Sequence, residues 1–195
     1  MRWLLGGFEI MIYQRKEFVL KNGTKLILKS PEQNDAKMLL NQIVKTTSQT
    51  DYLLSTSDDF DEDISKEEEF ISRFNESNDY LICAYVDGII VGNSALKFLK
   101  HAKDKHRAQV GIAIMKEYWG LGIGSIMFDE IIDIAKNTSG IEQIELDGGV
   151  IAENKRAISL YTKKGFVKTG TIPHELKLND GTYLDGFLMT LFLKD

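Results

Sequence analysis

Three alternating glycines, at positions 120, 122 and 124, are the residues whose type and spacing point most directly to chemistry. Glycine lets the backbone adopt positive φ angles and approach a ligand closely, because it has no Cβ atom. The glycines lie between a β-like run at 107–115 and a helix-like run at 123–136, so the helix would begin with free N–H groups and a positive dipole end. This arrangement predicts a phosphate-binding turn, although the glycines alone would also fit a tight strand–helix turn.

The surroundings of this turn argue against the two commonest nucleotide-binding motifs. A Walker A loop ends in Gly-Lys-Ser/Thr, and the run 120–125 contains no lysine. A dinucleotide fingerprint reads Gly-x-Gly-x-x-Gly after the first strand. The run here reads Gly-x-Gly-x-Gly and follows a later strand.

The composition is that of one soluble globular domain. The chain has 195 residues, of which 43% are hydrophobic and 27% charged, and its net charge is −5. This charge argues against a duplex nucleic-acid partner, which needs a basic surface to replace counterions. No apolar run approaches the roughly 20 residues of a membrane span, and the single cysteine, Cys83, has no intrachain partner for a disulfide. We expect a cytoplasmic protein with no nucleic-acid partner, no membrane partner and no metal.

Hydrophobic periodicity and turn signals predict the elements that must position the glycine turn. Tight turns at 22–23, 87–88 and 179–181 predict three hairpins, and capping signals at Ser30 and Ser65 predict the starts of two helices. The predicted helices are 30–45, 65–75, 123–136 and 154–164. The predicted strands are 18–20, 25–29, 80–86, 89–96, 107–115, 141–150, 166–178 and 182–193. Their order predicts an α/β fold with one mixed sheet and helices on both faces.

The first residues are expected to lie outside this fold. We predict an N-terminal extension at 1–17 and a single domain at 18–195. Gly-Gly at 6–7 precedes Met11 and fits the product of a bacterial ribosome-binding site, so translation is expected to start at Met11. The alternative is a genuine, loosely ordered extension.

A second constellation follows the glycine turn. Residues 152–166 contain an asparagine at 154, a small–aliphatic pair at 157–158, Leu-Tyr at 160–161 and Gly-Phe at 165–166. Together with Gly-Ile-Ala-Ile at 111–114 and the run 119–125, in this order and spacing, it resembles the two motifs of the GNAT superfamily of N-acetyltransferases. The resemblance covers 30–193 and departs from the family at Trp119, where Arg or Gln is frequent.

The resemblance implies a fold, an activity and a co-substrate. The fold would be the GNAT-like acyl-CoA N-acyltransferase fold, a central, mostly antiparallel twisted sheet flanked by helices on both faces. The activity would be direct transfer of the acetyl group of acetyl-coenzyme A (acetyl-CoA) to a primary amine of a small molecule or peptide. The alternative is a non-catalytic acyl-CoA sensor on the same fold. Family habit and exposed sheet edges also suggest a homodimer.

The resemblance also places the co-substrate. The strand backbone at 112–114 would bind the pantetheine arm, the turn would bind the pyrophosphate, and Asn154 would contact the arm. The implied cofactor-binding residues are Ile112, Ala113, Ile114, Trp119, Gly120, Leu121, Gly122, Ile123, Gly124, Ser125, Asn154 and Tyr161. Their types leave simpler roles open, because the strand side chains suit a core and Asn154 suits a helix N-cap.

Tyr161 matches the family tyrosine that lies near the thioester sulfur. A phenol with the ordinary pKa of ~10 can protonate a departing thiolate. The alternative role is a half-buried aromatic on the inner face of the helix. The backbone N–H of Ile114 would stabilise the oxyanion that forms as the amine attacks.

The general base is not fixed by the resemblance. Glu145 is our candidate, with Asp147 as its rival, because they are two apart on the predicted strand beside the motif strand and share one face. Both also suit a solvent-facing role. Histidine is a common general base at neutral pH, but His106 and His174 rank below the carboxylates as candidates.

The acceptor stays open between an amino acid, a polyamine, a protein N-terminus and a small drug-like amine. The acidic run 58–63 could steer a cationic amine, although a solvated loop is the simpler interpretation.

Overall fold

The computed structural model describes residues 12–60 and 63–194, together with the paired backbones of Leu4–Leu5 and Phe8–Glu9. The proposed start at Met11 and part of the predicted extension therefore lie outside the described residues. Tyr13, within that predicted extension, is buried, and its hydroxyl donates a hydrogen bond to Glu130 Oε2 at 2.7 Å.

Nine strands and four α-helices make up the described part of the chain between residues 12 and 194. The strands are β1 (Lys16–Val19), β2 (Lys25–Lys29), β3 (Tyr80–Val86), β4 (Ile89–Phe98), β5 (Arg107–Ile114), β6 (Gln143–Leu146), β7 (Val150–Ile151), β8 (Val167–Lys177) and β9 (Tyr183–Phe192). The helices are α1 (Ala36–Ser48), α2 (Ile64–Asn75), α3 (Ile123–Asn137) and α4 (Lys155–Lys163).

All nine strands belong to one mixed sheet, in the order β8-β9-β6-β5-β4-β3-β2-β1, with the short β7 paired to β9. Neighbouring strands run antiparallel except β5 and β6, which run parallel. The three predicted hairpins are present as β1–β2, β3–β4 and β8–β9. The predicted mixed α/β architecture is confirmed.

Strand β3 shows why helices cover both faces of the sheet. Successive side chains of a strand point to opposite faces, and here both sets are buried. One set packs in a cluster with residues of α1 and α2, namely Leu81, Cys83 and Tyr85. The other set packs in a larger cluster with residues of α3 and α4, namely Ile82, Ala84 and Val86.

The predicted helix caps at Ser30 and Ser65 are wrong. The Ser30 hydroxyl accepts a hydrogen bond from the Tyr13 N–H at 3.0 Å, so it is engaged with another segment. A capping box at Glu32 instead opens a short 3₁₀ turn before α1. Helix α2 is capped by Asp63, whose carboxylate accepts the Ser65 N–H at 3.1 Å. A carboxylate also complements the positive end of the helix dipole.

The single strand predicted at 141–150 is also wrong. Strand β6 ends at Leu146, and the two residues of β7 pair with β9 alone. Between β6 and β7, Gly148 has a φ angle of 71° and Gly149 one of 79°. Such angles are incompatible with a strand. The chain therefore turns away from β5 at this point.

None of the described helices is long and apolar enough to cross a membrane.

Glu67 on α2 generates a test of the packing. It is 9% exposed, and no hydrogen-bond donor in the described part of the chain reaches its Oε1 atom. Burial raises the pKa of its carboxyl from 4.5 to about 6. The folded state therefore favours the protonated form, so the stability from this group is fully present below pH 4.5 and is lost as the pH rises through 6.

We predict that Glu67→Gln raises the free energy of unfolding at pH 7 by about 1–2 kcal/mol, because the amide carries no charge to desolvate. The gain should disappear at pH 4. Urea denaturation at both values checks this, with the exposed neighbour Glu68→Gln as the matched control. A Glu67→Gln protein that is less stable than the wild type at pH 7 would contradict the prediction.

Candidate active site

The site is built around a gap between β5 and β6. Their parallel ladder ends at the pair Val110 and Leu146, and the Asp147 N–H donates to the Val110 carbonyl at 2.9 Å. Gly148 and Gly149 then turn the chain into β7, which pairs with β9. A Cβ atom on Gly149 would stand 2.9 Å from the Phe187 carbonyl oxygen, so glycine is required there.

Beyond the gap, β5 continues to Ile114 and pairs only with β4. Backbone groups of alternate residues point to the same side of a strand, so those of Ile112 and Ile114 face the gap, like those of Val110. Those of Ala113 face β4. The Ile114 carbonyl accepts the indole N–H of Trp119 at 2.7 Å. Both polar groups of Ile112 and the Ile114 N–H thus remain open to a ligand.

The turn after β5 presents a second set of open N–H groups. Gly120 and Gly122 adopt φ angles of 83° and 99°. Gly122 precedes α3 and offers no capping side chain. The first intrahelical hydrogen bond runs from the Ile126 N–H to the Gly122 carbonyl. The N–H groups of the first three helix residues, at 123–125, are therefore free to bind an anion.

Gly124 lets α3 approach the rest of the site. A Cβ atom there would stand 3.1 Å from Leu160 Cδ2 and 3.3 Å from Ile114 Cδ1. The helix N-terminus, the open edge of β5 and α4 consequently border one cavity of about 520 Å³. The predicted cofactor-binding residues in its wall are Ile112, Ala113, Ile114, Trp119, Gly120, Gly122, Ile123, Gly124, Ser125, Asn154 and Tyr161. Leu121 packs against the core instead.

Helix α4 supplies the opposite wall. Asn154 is its N-cap, with Oδ1 accepting the Ala157 N–H at 3.1 Å. The capping role thus holds, and the side-chain amide N–H groups remain available. The Tyr161 ring packs edge-on against Phe128 at 5.2 Å and near Phe166 at 6.0 Å. Burial raises the pKa of Tyr161 to about 12, so its phenol is protonated at neutral pH.

The structure does not bring Glu145 to the cavity. Its carboxylate is held in a two-pronged ion pair by Arg107, with 2.7 Å between Nε and Oε1. The Gln143 side chain also donates to it at 2.7 Å. Its rival Asp147 pairs with Lys97 at 3.1 Å and likewise stays outside the cavity wall.

The other ionisable candidates are also elsewhere. His106 and His174 do not line the cavity, and neither do Asp58 and Asp59 of the acidic run. Positions 61 and 62 of that run lie outside the described residues. Among the side chains that the structure describes, no carboxylate or imidazole lines this cavity.

Several cationic residues in the cavity wall were missed from the sequence. Lys21, Arg156 and Lys163 line it and have no carboxylate partner within the described ranges. Lys164 also lines it, with its charge directed to Asp129 at 2.6 Å. Arg156 stands inside the second motif and could have been considered. Lys21 carries no local signal, because only the folded β1–β2 hairpin brings it to the turn, where its N–H donates to the Leu121 carbonyl at 3.4 Å.

The third wall comes from the end of α1 and the loop after it. Its members are Thr46, Thr50, Tyr52 and Leu53, and Tyr118 also lines the cavity. This wall is tied to the segment after β5, since the Lys116 N–H donates to Gln49 Oε1 at 2.8 Å. The cavity therefore extends from the glycine turn to the end of α1 and the loop after it.

Comparison with known proteins identifies the family. The sequence profile described as acetyltransferase (GNAT) family matches residues 43–166, which is more than half of the chain. The chain belongs to the GNAT acetyltransferase family. The match covers β5, the glycine turn and all of α4, and so contains every cavity-wall residue named above except Lys21.

Relatives of this GNAT chain are consistent with that assignment. The L-amino acid N-acetyltransferase AaaT of Escherichia coli (strain K12) is 30% identical over 108 residues, which cover 55% of this chain and 65% of the relative, just under two thirds of its length. A GNAT-family acetyltransferase from Streptococcus pneumoniae superposes with a TM-score of 0.80 at 25% identity, covering 86% of this chain and 99% of that one.

A third similar protein is yncA of Salmonella typhimurium, solved with its cofactor acetyl-CoA. It superposes with a TM-score of 0.74 at 16% identity, covering 87% of this chain and 95% of that chain. At that identity the likeness shows that the two chains share the GNAT fold.

The glycine turn generates a test with an internal control. Alanine at Gly122 or Gly140, with φ angles of 99° and 85°, meets no close atom but is strained in either place. We predict that each substitution lowers the free energy of unfolding by about 1–2 kcal/mol. Only Gly122→Ala should also weaken coenzyme A binding, by about tenfold or more, because it precedes the open helix N-terminus.

Urea denaturation and calorimetry with coenzyme A measure the two effects. Equal affinity of the Gly122→Ala and Gly140→Ala proteins for coenzyme A would show that the turn does not hold the phosphates.

Proposed function

We propose that the chain transfers the acetyl group of acetyl-CoA directly to a primary amine of a small molecule or peptide. The observation that carries this proposal is one cavity that combines an unpaired strand edge, an uncapped helix N-terminus and a protonated phenol. GNAT membership supports it, and so does the acetyl-CoA bound to a protein of the same fold.

The cavity wall fits the parts of acetyl-CoA. The N–H groups at 123–125 suit the pyrophosphate, with Lys21 and Arg156 beside them to balance its charge. The open groups of Ile112 and Ile114 suit the amides of the pantetheine arm. When bound, acetyl-CoA supplies an activated acetyl thioester. The chain need only orient it, so no nucleophilic side chain is required.

Two groups are proposed to act on the reacting atoms. The Ile114 N–H faces the gap and can donate to the acetyl oxygen as negative charge develops there. The Tyr161 phenol, which burial keeps protonated, can donate its proton to the departing thiolate, and the proton that the amine releases through water then restores the phenol. Its ring is fixed by Phe128, so the hydroxyl direction is set before substrate arrives.

The proton on the amine must leave without a base in the described cavity wall. We propose that water carries it away and that Glu145 braces β5 against β6 through Arg107. An α-amino group, with a pKa of ~7.7–8.0, is partly neutral at pH 7, whereas a lysine-like amine with a pKa of ~10.4 is not. We therefore propose an α-amino acceptor, on an amino acid or peptide, in keeping with the name of the E. coli relative.

The proposal extends to the setting of the protein. Cys83 is buried and unpaired, which suits a reducing compartment, and we propose the cytoplasm of a bacterium. We also propose a homodimer, with the exposed side chains of Leu188 and Phe192 on β9 as its candidate contact. Sedimentation of the purified chain measures its mass in solution and decides between monomer and dimer.

The direct test is a panel of amines incubated with acetyl-CoA. Amino acids, a short peptide with a free N-terminus, a polyamine and a lysine side-chain analogue should be included, with thiol release and product mass as readouts. We expect turnover that is fastest with α-amino acceptors. Tight binding of acetyl-CoA without turnover across the panel would favour the non-catalytic sensor.

Tyr161→Phe tests the proton donor. The change keeps the ring that packs on Phe128 and removes only the hydroxyl, so we predict that kcat falls by about 100-fold or more. The affinity for coenzyme A should stay within about twofold, since a hydroxyl contact with the thiol contributes little to binding. Steady-state kinetics and calorimetry measure the two quantities.

Tyr118→Phe is the matched control, because that phenol also lines the cavity but lies on another wall. An unchanged kcat in Tyr161→Phe, or a larger loss in Tyr118→Phe, would remove Tyr161 from the proposed role.

A further inference from the structure

Trp119 contacts two residues of the cavity wall with different parts of its ring. The edge of the indole donates its N–H to the Ile114 carbonyl at 2.7 Å. The face of the ring supports the Arg156 guanidinium, whose Cζ lies 5.0 Å from the ring centroid. Both residues line the cavity, with Ile114 at the end of β5 and Arg156 beside the glycine turn.

The ring is held in place from its own segment. Residues Lys116–Tyr118 form a 3₁₀ turn, and the Trp119 N–H closes it by donating to the Lys116 carbonyl at 3.2 Å. The Lys116 N–H is in turn fixed by Gln49 on the loop after α1. Trp119 is half-buried, so its ring is a platform with a defined orientation rather than a mobile surface side chain.

Arg156 is placed to meet an anion. Its Nη2 atom lies 3.8 Å from the position that a Cβ on Gly120 would take, directly beside the glycine turn. No carboxylate within the described ranges pairs with it. A guanidinium seated on an aromatic face keeps its donor edge free, and that edge matches phosphate oxygens in a two-pronged geometry.

We propose that Trp119 is a positioning residue that links the two ends of the co-substrate site. Its ring face holds Arg156 against the pyrophosphate. Its indole N–H holds the Ile114 carbonyl, and the N–H on the other side of the same residue, in the preceding peptide unit, faces the acetyl oxygen. This inference rests on the proposed function. It assigns Arg156 as a phosphate-binding residue that acts beside the backbone N–H groups of the turn.

The phosphate half is tested by calorimetry with coenzyme A on full-length variants. Arg156→Gln should weaken binding by about tenfold or more. Trp119→Leu should weaken it comparably, because it removes the seat of the guanidinium. The double variant should bind no more weakly than Arg156→Gln alone, since both changes remove the same contact. Lys155→Gln is the matched control, one residue earlier and outside the cavity wall.

Dephospho-coenzyme A, which lacks the 3′-phosphate, distinguishes the two phosphate sources. The loss on Arg156→Gln should be equal for both ligands if Arg156 contacts the pyrophosphate. A loss that vanishes with dephospho-coenzyme A would overturn this assignment in favour of the 3′-phosphate.

The acyl half is tested with Trp119→Phe, which keeps an aromatic face under Arg156 but removes the N–H donor. We expect coenzyme A affinity within about threefold of the wild type. We expect a kcat at least about tenfold lower with the best amine of the panel, because Ile114, whose N–H faces the acetyl oxygen, loses the anchor on its carbonyl. Thermal unfolding of each variant controls for folding. A kcat equal to that of the wild type would overturn this half.

The outcomes distinguish a failure of this inference from a failure of the proposed function. Wild-type protein without affinity for coenzyme A would refute the proposed function and the inference together. Wild-type binding combined with unchanged affinity in Arg156→Gln, or with additive losses in the double variant, would refute only the inference.

Discussion

The structure depends on the loss of one strand pairing inside a sheet. Strand β5 has β4 on one side throughout, but its parallel partner β6 leaves after Val110 and Leu146. Backbone N–H and C=O groups in the interior of a protein are costly without partners. The open groups of Ile112 and Ile114 therefore require either water or a ligand rich in amides, and a row of unpaired main-chain groups is selective for an extended, amide-bearing chain.

The surrounding elements keep that gap open and make the cavity beside it electrically positive. Gly148 and Gly149 turn the chain away from β5, and Gly124 lets the N-terminus of α3 approach the strand end. The whole chain carries a net charge of −5, yet the described cavity wall contains cationic and no acidic side chains. The overall charge thus says little about the ligand. The local arrangement of helix dipole, cationic side chains and open N–H groups determines which ligand the cavity favours.

Much of the architecture followed from the sequence because its signals are local. The hairpin turns and the helical periodicity of 123–136 specify conformation within a few residues, and these elements are present. The cap predicted at Ser30 failed because a distant partner, Tyr13, engages that hydroxyl, and the one at Ser65 failed because Asp63 caps α2. The strand 141–150 failed because two glycines with positive φ interrupt a run that still looks β-like.

The part of the site that is formed by residues close together in the sequence was predictable. The motif residues of β5, the turn and α4 border one cavity, whereas Lys21 and Thr46 reach it only through tertiary packing. The shared face of Glu145 and Asp147 could be inferred from alternation. The position of Glu145 in the paired half of the β5–β6 ladder, opposite Gln109, could not.

The most direct measurement is the response of backbone amide resonances to acetyl-CoA, followed by two-dimensional NMR of the ¹⁵N-labelled chain. The account predicts that the amides of Ile112 and Ile114, together with those at 123–125, move downfield on titration because each gains a hydrogen-bond acceptor. The amide of Ala113, already facing β4, should move least among the strand residues. Saturable shifts confined to another surface, or no shifts at all, would contradict the claim that this strand edge and helix N-terminus hold the thioester carrier.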